Sequence, residues 1–305
     1  MLALAVLFDL AIGEPPNRWH PVAWLGCLIA AGRRLAPQGP PAALLLCGGI
    51  LTAAVIVIAA GAALLVEWGL RAAPEPLQVI VEAWLLKCSF SLRALFMAVE
   101  LIRGHLIAGD LAGARLQVAL HLVSRPTGDL DEGGVASAAV ESLAENLTDA
   151  WVAPLLFFVI GGLAGSWAYR AVNTADAMIG YRQGALLYLG RVAARLDDLS
   201  SFVPARIAAL CLILGAWLAG QSAAGAWRLM RRDAASTESP NAGQTMAAMA
   251  GALGVTLEKQ AHYRLGEGPL PGPATMDRAM TIARHAAAVW LALAFLFWGV
   301  GWAAS

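Results

Sequence analysis

Three acids recur at four-residue spacing in the stretch AVESLAENLTDAWVAP, residues 139–154: Glu141, Glu145 and Asp149. On a helical wheel they fall within an arc of about 80°, while Val140, Leu143 and Leu147 centre on the opposite side, so the predicted helix has one acidic and one apolar face. Such a column is either a solvated polar face or a set of oxygen ligands for a hard divalent cation. Mg2+ suits the second case, because it binds one or two carboxylates together with substrate phosphates rather than a full protein cage. The interval from Asp129 to Asp149 also holds Asp131 and Glu132 and contains no lysine or arginine, whereas a solvated face usually intersperses basic residues for i,i+4 support. Both a solvated face and a metal-nucleotide site stand as expectations on the residues alone.

Four further clusters could do chemistry, each with a plainer reading beside it. YRAVNTADAMIGYR sets Asn173, Asp176 and Gly180 on one helical face among small residues, which suits either a polar cavity or a helix–helix seam glued by a hydrogen-bonded side chain. GRVAARLDDLSSFVPAR brings together Arg191, Arg195, Asp197, Asp198 and Arg206; the arginine forks could hold phosphate or simply pair the aspartates. STESPNAGQTMAAMAGALG predicts a helix with Ser239 as N-cap and Pro240 at the first helical position, a start that either binds an anion or is merely well capped. GEPPNRWHPVAWLG places Glu14, Arg18 and His20 among prolines that rigidify a turn, with His20 structural or ligand-binding.

Some chemistries are excluded. No G-x-x-x-x-G-K-[ST] loop exists, and the lysines are Lys87 and Lys259 alone, so a Walker-type lysine is ruled out. H-E-x-x-H, G-x-S-x-G and cysteine zinc patterns are also missing. Cys27, Cys47, Cys88 and Cys211 lie in or beside apolar segments without paired spacing and read as small buried hydrophobes. A net charge of zero and the lack of a basic run speak against nucleic acid as a partner.

The elements that must position these residues belong to a membrane protein. Of 305 residues, 59% are hydrophobic and 14% charged, and the mean hydropathy is +0.65, far from soluble averages. The clearest span is 42–66, without a formal charge and longer than the roughly 20 residues that cross the hydrocarbon core. Weaker candidates are 150–169, 203–220 with Arg206, and 286–304. The stretch 79–102 is long enough but carries Glu82, Lys87, Arg93 and Glu100, which must then face protein or a wet cavity. Residues 1–12 lack a basic n-region and are interrupted by Asp9, so a short retained helix is expected rather than a cleaved signal. The expected fold is all-α: a polytopic helical membrane protein, one integral domain over 1–305, with about five transmembrane helices. Amphipathic or re-entrant helices form a polar site, and the polar connecting segments 103–149 and 221–285 contribute to it.

Basic residues gather at Arg18, Arg33 and Arg34, at Arg103, Arg115 and Arg125, and in a group from Arg228 to Arg284, which places those segments on the cytoplasmic side. Parity then leaves 170–202 outside although it carries Arg182, Arg191 and Arg195. Either that segment folds back into the bundle, or 150–169, broken by Gly161, Gly162 and Gly165, is re-entrant. Residues 255–276 are the least membrane-like part, with GEGPLPGPA reading as an irregular loop.

Taken in order, GEPPNRWHPVAWLG, AVESLAENLTDAWVAPL, AYRAVNTADAMIGYR, GRVAARLDDLSSFVPARI and SPNAGQTMAAMAGALGV resemble the integral-membrane adenosylcobinamide-phosphate synthase family of cobalamin biosynthesis, from Asp9 to about Tyr263. The resemblance implies an ATP-dependent amide ligase that joins adenosylcobyric acid to (R)-1-aminopropan-2-ol phosphate, or a close aminoalcohol phosphate, to give adenosylcobinamide phosphate. It carries the family's polar motif positions onto Glu141, Glu145, Asn146 and Asp149; Asn173, Asp176, Gly180 and Tyr181; Arg195, Asp197, Asp198 and Arg206; and Ser239, Pro240, Asn241 and Gly243. Three departures stand out: the usual Gly-Asp-Pro-Pro is Gly13-Glu14-Pro15-Pro16, the usual Arg-Asp-Thr is Arg125-Pro126-Thr127, and the Asp-Gly after the acidic helix is Asp149-Ala150.

On this resemblance the expected metal ligands are Glu141, Glu145 and Asp149, with Asp176 as a further catalytic acid, holding Mg2+ against ATP. Arg182, Arg195 and Arg206, or the Ser239 helix start, are expected to hold ATP or the aminoalcohol phosphate. Asn146, Asn173, Tyr181, Asp197, Asp198, Asn241, Gly243 and His20 complete the expected binding set. The implied partners are the corrinoid substrate, the aminoalcohol phosphate, the lipid bilayer and other corrinoid-pathway enzymes, with a multi-pass location in the inner membrane. Two rivals predict different behaviour. A transporter requires flux without covalent product and an internal repeat, and no repeat is visible; a non-catalytic membrane subunit of a corrinoid-pathway complex requires no ATP turnover by the isolated chain.

Overall fold

A computed structural model describes residues 1–37, 39–259 and 262–303. In chain order the helices are α1 (Leu2–Ala11), α2 (Pro21–Leu35), α3 (Pro41–Leu70), α4 (Glu75–Lys87), α5 (Leu92–Ile107), α6 (Leu111–His121), α7 (Glu132–Leu147) and, after a π turn at Thr148–Val152, α8 (Ala153–Ile179). There follow α9 (Leu186–Leu189), α10 (Arg191–Ser200), α11 (Phe202–Leu218), α12 (Ala223–Asp233), α13 (Ala242–Leu253), the strands β1 (Thr256–Lys259) and β2 (Tyr263–Gly266), and α14 (Pro273–Ala303). The all-α expectation holds apart from one antiparallel hairpin, which pairs Leu257 with Leu265 and Lys259 with Tyr263. The hairpin lies within 255–276, expected to be the least membrane-like part, and the irregular loop expected from GEGPLPGPA joins β2 to α14.

Local signals explain most helix starts. His20 caps α2, its Nδ1 accepting from the Val22 N–H at 3.2 Å ahead of Pro21 in the first turn. Asp110, Asp131 and Ser222 cap α6, α7 and α12 through the N–H groups of Gly113, Gly134 and Gly225. The start of α13 differs from expectation: the helix begins at Ala242, not Pro240, and Asn241 is the N-cap residue without a side-chain cap bond. Ser239 and Pro240 instead lie in a turn held by Thr237, whose hydroxyl donates to the Ser239 carbonyl at 2.7 Å and accepts from the Gly243 N–H at 3.1 Å. A threonine two residues upstream has taken the capping task from Ser239.

Three helical stretches are long and apolar enough to cross a membrane, Pro41–Leu70, Glu132–Ile179 and Pro273–Phe297, and a fourth is added if Arg191–Ser200 and Phe202–Leu218 form one bent span. The protein is a membrane protein by these spans, with Leu46, Ile50, Val57 and Leu65 on the exposed side of α3. Among the described residues the expected count of about five is not reached. The stretch 79–102 breaks at Cys88–Ser91 into α4 and α5, and its Lys87 is fully buried and paired with Glu14 and Asp9. Residues 150–169 belong to a longer run that kinks at Gly161 and Gly162; Gly162 has φ 61°, backbone that side chains with a Cβ rarely adopt.

Contacts gather into two compact units, each built from two stretches of chain. The first comprises Met1–Ser91 and Ala153–Ser201, so it holds α1–α4 and α8–α10. The second comprises Leu92–Val152 and Phe202–Ser305 and holds α5–α7, α11–α14 and the hairpin.

Candidate active site

In the second unit the acidic face of α7 is not solvated. Glu141 is 5% exposed, and Glu145, Asn146 and Asp149 are half-buried. Glu141 Oε1 accepts from the Ser137 hydroxyl at 2.7 Å and Oε2 from the Tyr263 hydroxyl at 2.7 Å, with the Arg125 guanidinium 3.9 Å from Oε2. Ser137 also accepts from the Glu258 N–H at 2.9 Å. These bonds clasp both strands of the hairpin to α7. The Tyr263 phenol is pushed above its ordinary range, first by burial and then by the Glu141 charge beside it, so it stays a hydrogen-bond donor at neutral pH.

Within the three-acid set, Glu141 has a structural task as well: each of its oxygens accepts from one hydroxyl donor, which anchors the hairpin. Asp149 lies past the end of α7, in the π turn Thr148–Val152, whose wider winding takes it off the regular four-residue column; π turns recur at functional sites. Among the described residues no group of three or more His, Cys, Asp or Glu side chains is drawn together as a metal cage. The donor set still fits Mg2+ in its usual mode of one or two carboxylates, and Glu145 and Asp149 are the acids that would supply them. Asn146 turns back on its own helix, its amide donating to the Ser142 carbonyl at 2.9 Å.

Also in the second unit, Arg206 stacks on the Phe202 ring at 3.4 Å and donates from Nη1 to the Phe202 carbonyl at 2.7 Å and to Asn241 Oδ1 at 3.1 Å. That contact joins two predicted binding residues, Arg206 and Asn241, next to the Ser239–Gly243 turn. A Cβ at Gly243 would collide with the Ala234 carbonyl, so close backbone packing requires that glycine.

In the first unit the Asn173 amide donates to Asp197 Oδ1 at 3.3 Å, and Arg170 donates to Asn173 Oδ1 at 3.3 Å, which ties α8 to α10. Helix α8 ends at Ile179, and a Cβ at Gly180 would run into the Asp176 carboxylate. Of the expected face, Asn173 forms the seam between α8 and α10, while Gly180 packs closely on Asp176 at the end of α8. Tyr181 and Arg182 are exposed in the loop that follows, Arg195 is exposed on α10, and Asp198 is half-buried.

His20 belongs to a group that sequence reasoning did not assemble. Its Nε2 donates to Glu14 Oε2 at 2.7 Å, since Nδ1 already accepts a backbone N–H. Lys87 Nζ lies 2.6 Å from Glu14 Oε1 and 3.1 Å from Asp9 Oδ1. Burial alone would raise the Glu14 carboxyl, but hydrogen bonds from His20 and Lys87 outweigh it and hold it below its ordinary value. The available signal was a lone lysine inside an apolar stretch, which demands buried acids as partners.

The comparisons with known proteins bear on the whole chain. A sequence model described as "CobD/Cbib protein" matches residues 2–292. The chain belongs to the CobD/Cbib family. It is 40% identical over 290 residues to "Cobalamin biosynthesis protein CobD" of Dehalococcoides mccartyi (strain CBDB1), covering 94% of this chain and 93% of that one. It is 40% identical over 301 residues to the protein of the same name from Chromobacterium violaceum, covering 96% and 94%. It is 36% identical over 303 residues to "Probable cobalamin biosynthesis protein CobD" of Methanocaldococcus jannaschii, covering 98% of each. No solved structure matches. Membership of CobD/Cbib assigns the chain to cobalamin biosynthesis.

The hairpin clasp makes a prediction within this family member. Tyr263→Phe removes one of two hydroxyl donors from a buried carboxylate, and a hydrogen bond to a charged group contributes about 1.5–3 kcal/mol. Denaturation of the purified protein in detergent should register a loss in that range, with faster amide exchange in the hairpin strands. An unchanged hairpin exchange rate would mean the clasp holds nothing.

Proposed function

We propose that this chain is an ATP-dependent amide ligase joining a propionate carboxyl of adenosylcobyric acid to the amino group of (R)-1-aminopropan-2-ol phosphate, or a close aminoalcohol phosphate. The observation that carries the reading is the family assignment over nearly the whole chain, together with two half-buried acids, Glu145 and Asp149, at the end of a helix that continues into an apolar run. Amide formation from a carboxylate needs a better leaving group than oxide. A carboxylate oxygen attacks the γ-phosphorus of ATP, ADP leaves, and an acyl phosphate forms; the amine then attacks the acyl carbon, loses a proton and expels phosphate.

Glu145 and Asp149 would hold Mg2+, which supplies charge neutralisation on the nucleotide phosphates when bound. The residues of this chain do the rest: they orient the carboxyl, hold phosphate through the Arg206 guanidinium of the same unit, and keep water from the acyl phosphate behind apolar helices. The same reading places the chain in the inner membrane, where a membrane-bound corrinoid enzyme would meet its substrates.

The test incubates purified full-length protein with adenosylcobyric acid, ATP, Mg2+ and either aminopropanol phosphate or ethanolamine phosphate, with products identified by mass. One new amide product per ADP supports ligation. Flux of an amine or corrinoid into vesicles without a covalent product would favour a transporter, a reading for which the kink at Gly161 and Gly162 in α8 is the one structural point.

A further inference from the structure

A cavity of about 400 Å3 opens in the second unit among α11, α12 and α13. Two arginines line it, Arg206 from α11 and Arg231 from α12, with Trp227, Leu210 and Met230 as apolar wall and Gln244 from α13. No acidic side chain is among its lining residues. The other arginines at the end of α12 are neutralised: Arg228 and Arg232 both pair with Glu267. Among the described residues neither Arg206 nor Arg231 has such a partner.

Both guanidiniums are instead set in place by neutral contacts. Arg206 commits Nη1 to Asn241 and the Phe202 carbonyl and sits over the Phe202 ring at 3.4 Å, which leaves its remaining N–H donors for another acceptor. Arg231 sits over the Trp227 ring at 5.9 Å. Two oriented, uncompensated guanidiniums at one cavity match the charge of a phosphate group, which approaches two negative charges as a monoester near neutral pH and offers the planar fork several acceptors. The aromatic and aliphatic wall matches an organic portion attached to that phosphate. The surroundings fit as well: α11 is half of the fourth candidate span, and α12 exposes Trp227 and arginines on one side while burying Ala226, Leu229 and Met230 on the other, the make-up of a helix that lies at a membrane interface.

We propose that this cavity binds a phosphate group carried on an organic tail, gripped by Arg206 and Arg231 and packed against Trp227. The inference deepens the ligase reading at Arg206, and its test needs neither ATP nor corrinoid, so the two can fail separately.

Purified full-length protein in maltoside micelles is titrated calorimetrically with phosphoethanolamine, with ethanolamine as the phosphate-free control. In a second arm phosphatidylglycerol is added to the micelles and bound lipid is counted by native mass spectrometry, with a phosphate-free galactolipid as control. Arg206→Gln and Arg231→Gln are each expected to weaken the bound probe about tenfold or more, as loss of a charge-assisted hydrogen bond does, while Arg228→Gln, which removes the same charge from the same helix, changes it less than about threefold. Binding of phosphoethanolamine alone assigns the cavity to a soluble phosphomonoester, and binding of the lipid alone assigns it to a headgroup. Failure of both probes to bind, or an equal loss in all three variants, overturns the proposal.

Discussion

Glu145→Gln is expected to reduce the rate of amide formation about 100- to 1,000-fold, since a metal ion contributes several kcal/mol of charge stabilisation and each 1.36 kcal/mol is tenfold in rate. Glu145 is half-buried on α7, one turn beyond Glu141, and would hold the proposed Mg2+ together with Asp149. The amide keeps the side-chain shape and loses the charge, so the Mg2+ concentration needed for half-maximal turnover should rise. Glu141→Gln separates the two roles of the column. Its oxygens accept from Ser137 and Tyr263, so its variant should lose stability and hairpin protection without a raised Mg2+ requirement. Wild-type turnover by Glu145→Gln in excess Mg2+ would remove Glu145 from the metal site.

Lys87→Met is expected to destabilise the first unit by about 3–5 kcal/mol, the range for removing one partner of a buried ion pair, out of a typical total of roughly 5–15 kcal/mol. Lys87 is 0% exposed and sits between Asp9, 1% exposed, and Glu14. Removing the ammonium leaves the Asp9 carboxylate buried beside a second acid. The double variant Asp9→Asn with Lys87→Met should recover most of the loss, because a neutral pair no longer needs compensation. Glu14 adds a pH dependence with a definite sign: its carboxyl titrates below the ordinary value in the folded protein, so its contribution is complete above the unfolded value near 4.5 and is lost as pH falls through the folded one. Thermal melts in detergent and limited proteolysis of 1–91 check both points. A Lys87→Met protein that melts like wild type would show that the cluster is not a structural clamp.

Particular elements show how far the sequence could be read. The 42–66 run is unambiguous because twenty-odd uncharged apolar residues have one stable destination, and α3 extends it to Pro41–Leu70. The glycine pair 161–162 was legible as a break because Gly162 takes a positive φ that other residues rarely adopt. The hairpin was not legible: its strands are four residues long, too short for alternation to register, and they form because Ser137 and Tyr263 tie them to α7. The same long-range bonds changed the role of Glu141, which spacing alone had grouped with Glu145 and Asp149. Lys87 was recognised as costly in lipid, but its partners lie 73 residues or more upstream, a separation that no local pattern encodes. The capping of α13 failed for a smaller reason: Ser239 and Thr237 are both capable oxygens, and Thr237 made the bond to Gly243.

The most direct measurement follows oxygen. Adenosylcobyric acid labelled with 18O in the reacting carboxyl is turned over with ATP, Mg2+ and aminopropanol phosphate, and the released phosphate is analysed by mass. Ligation through an acyl phosphate transfers one labelled oxygen from the carboxyl to each phosphate, in step with one amide formed. Unlabelled phosphate alongside amide product, label appearing in AMP, or ATP hydrolysis that ignores the corrinoid would each contradict the account.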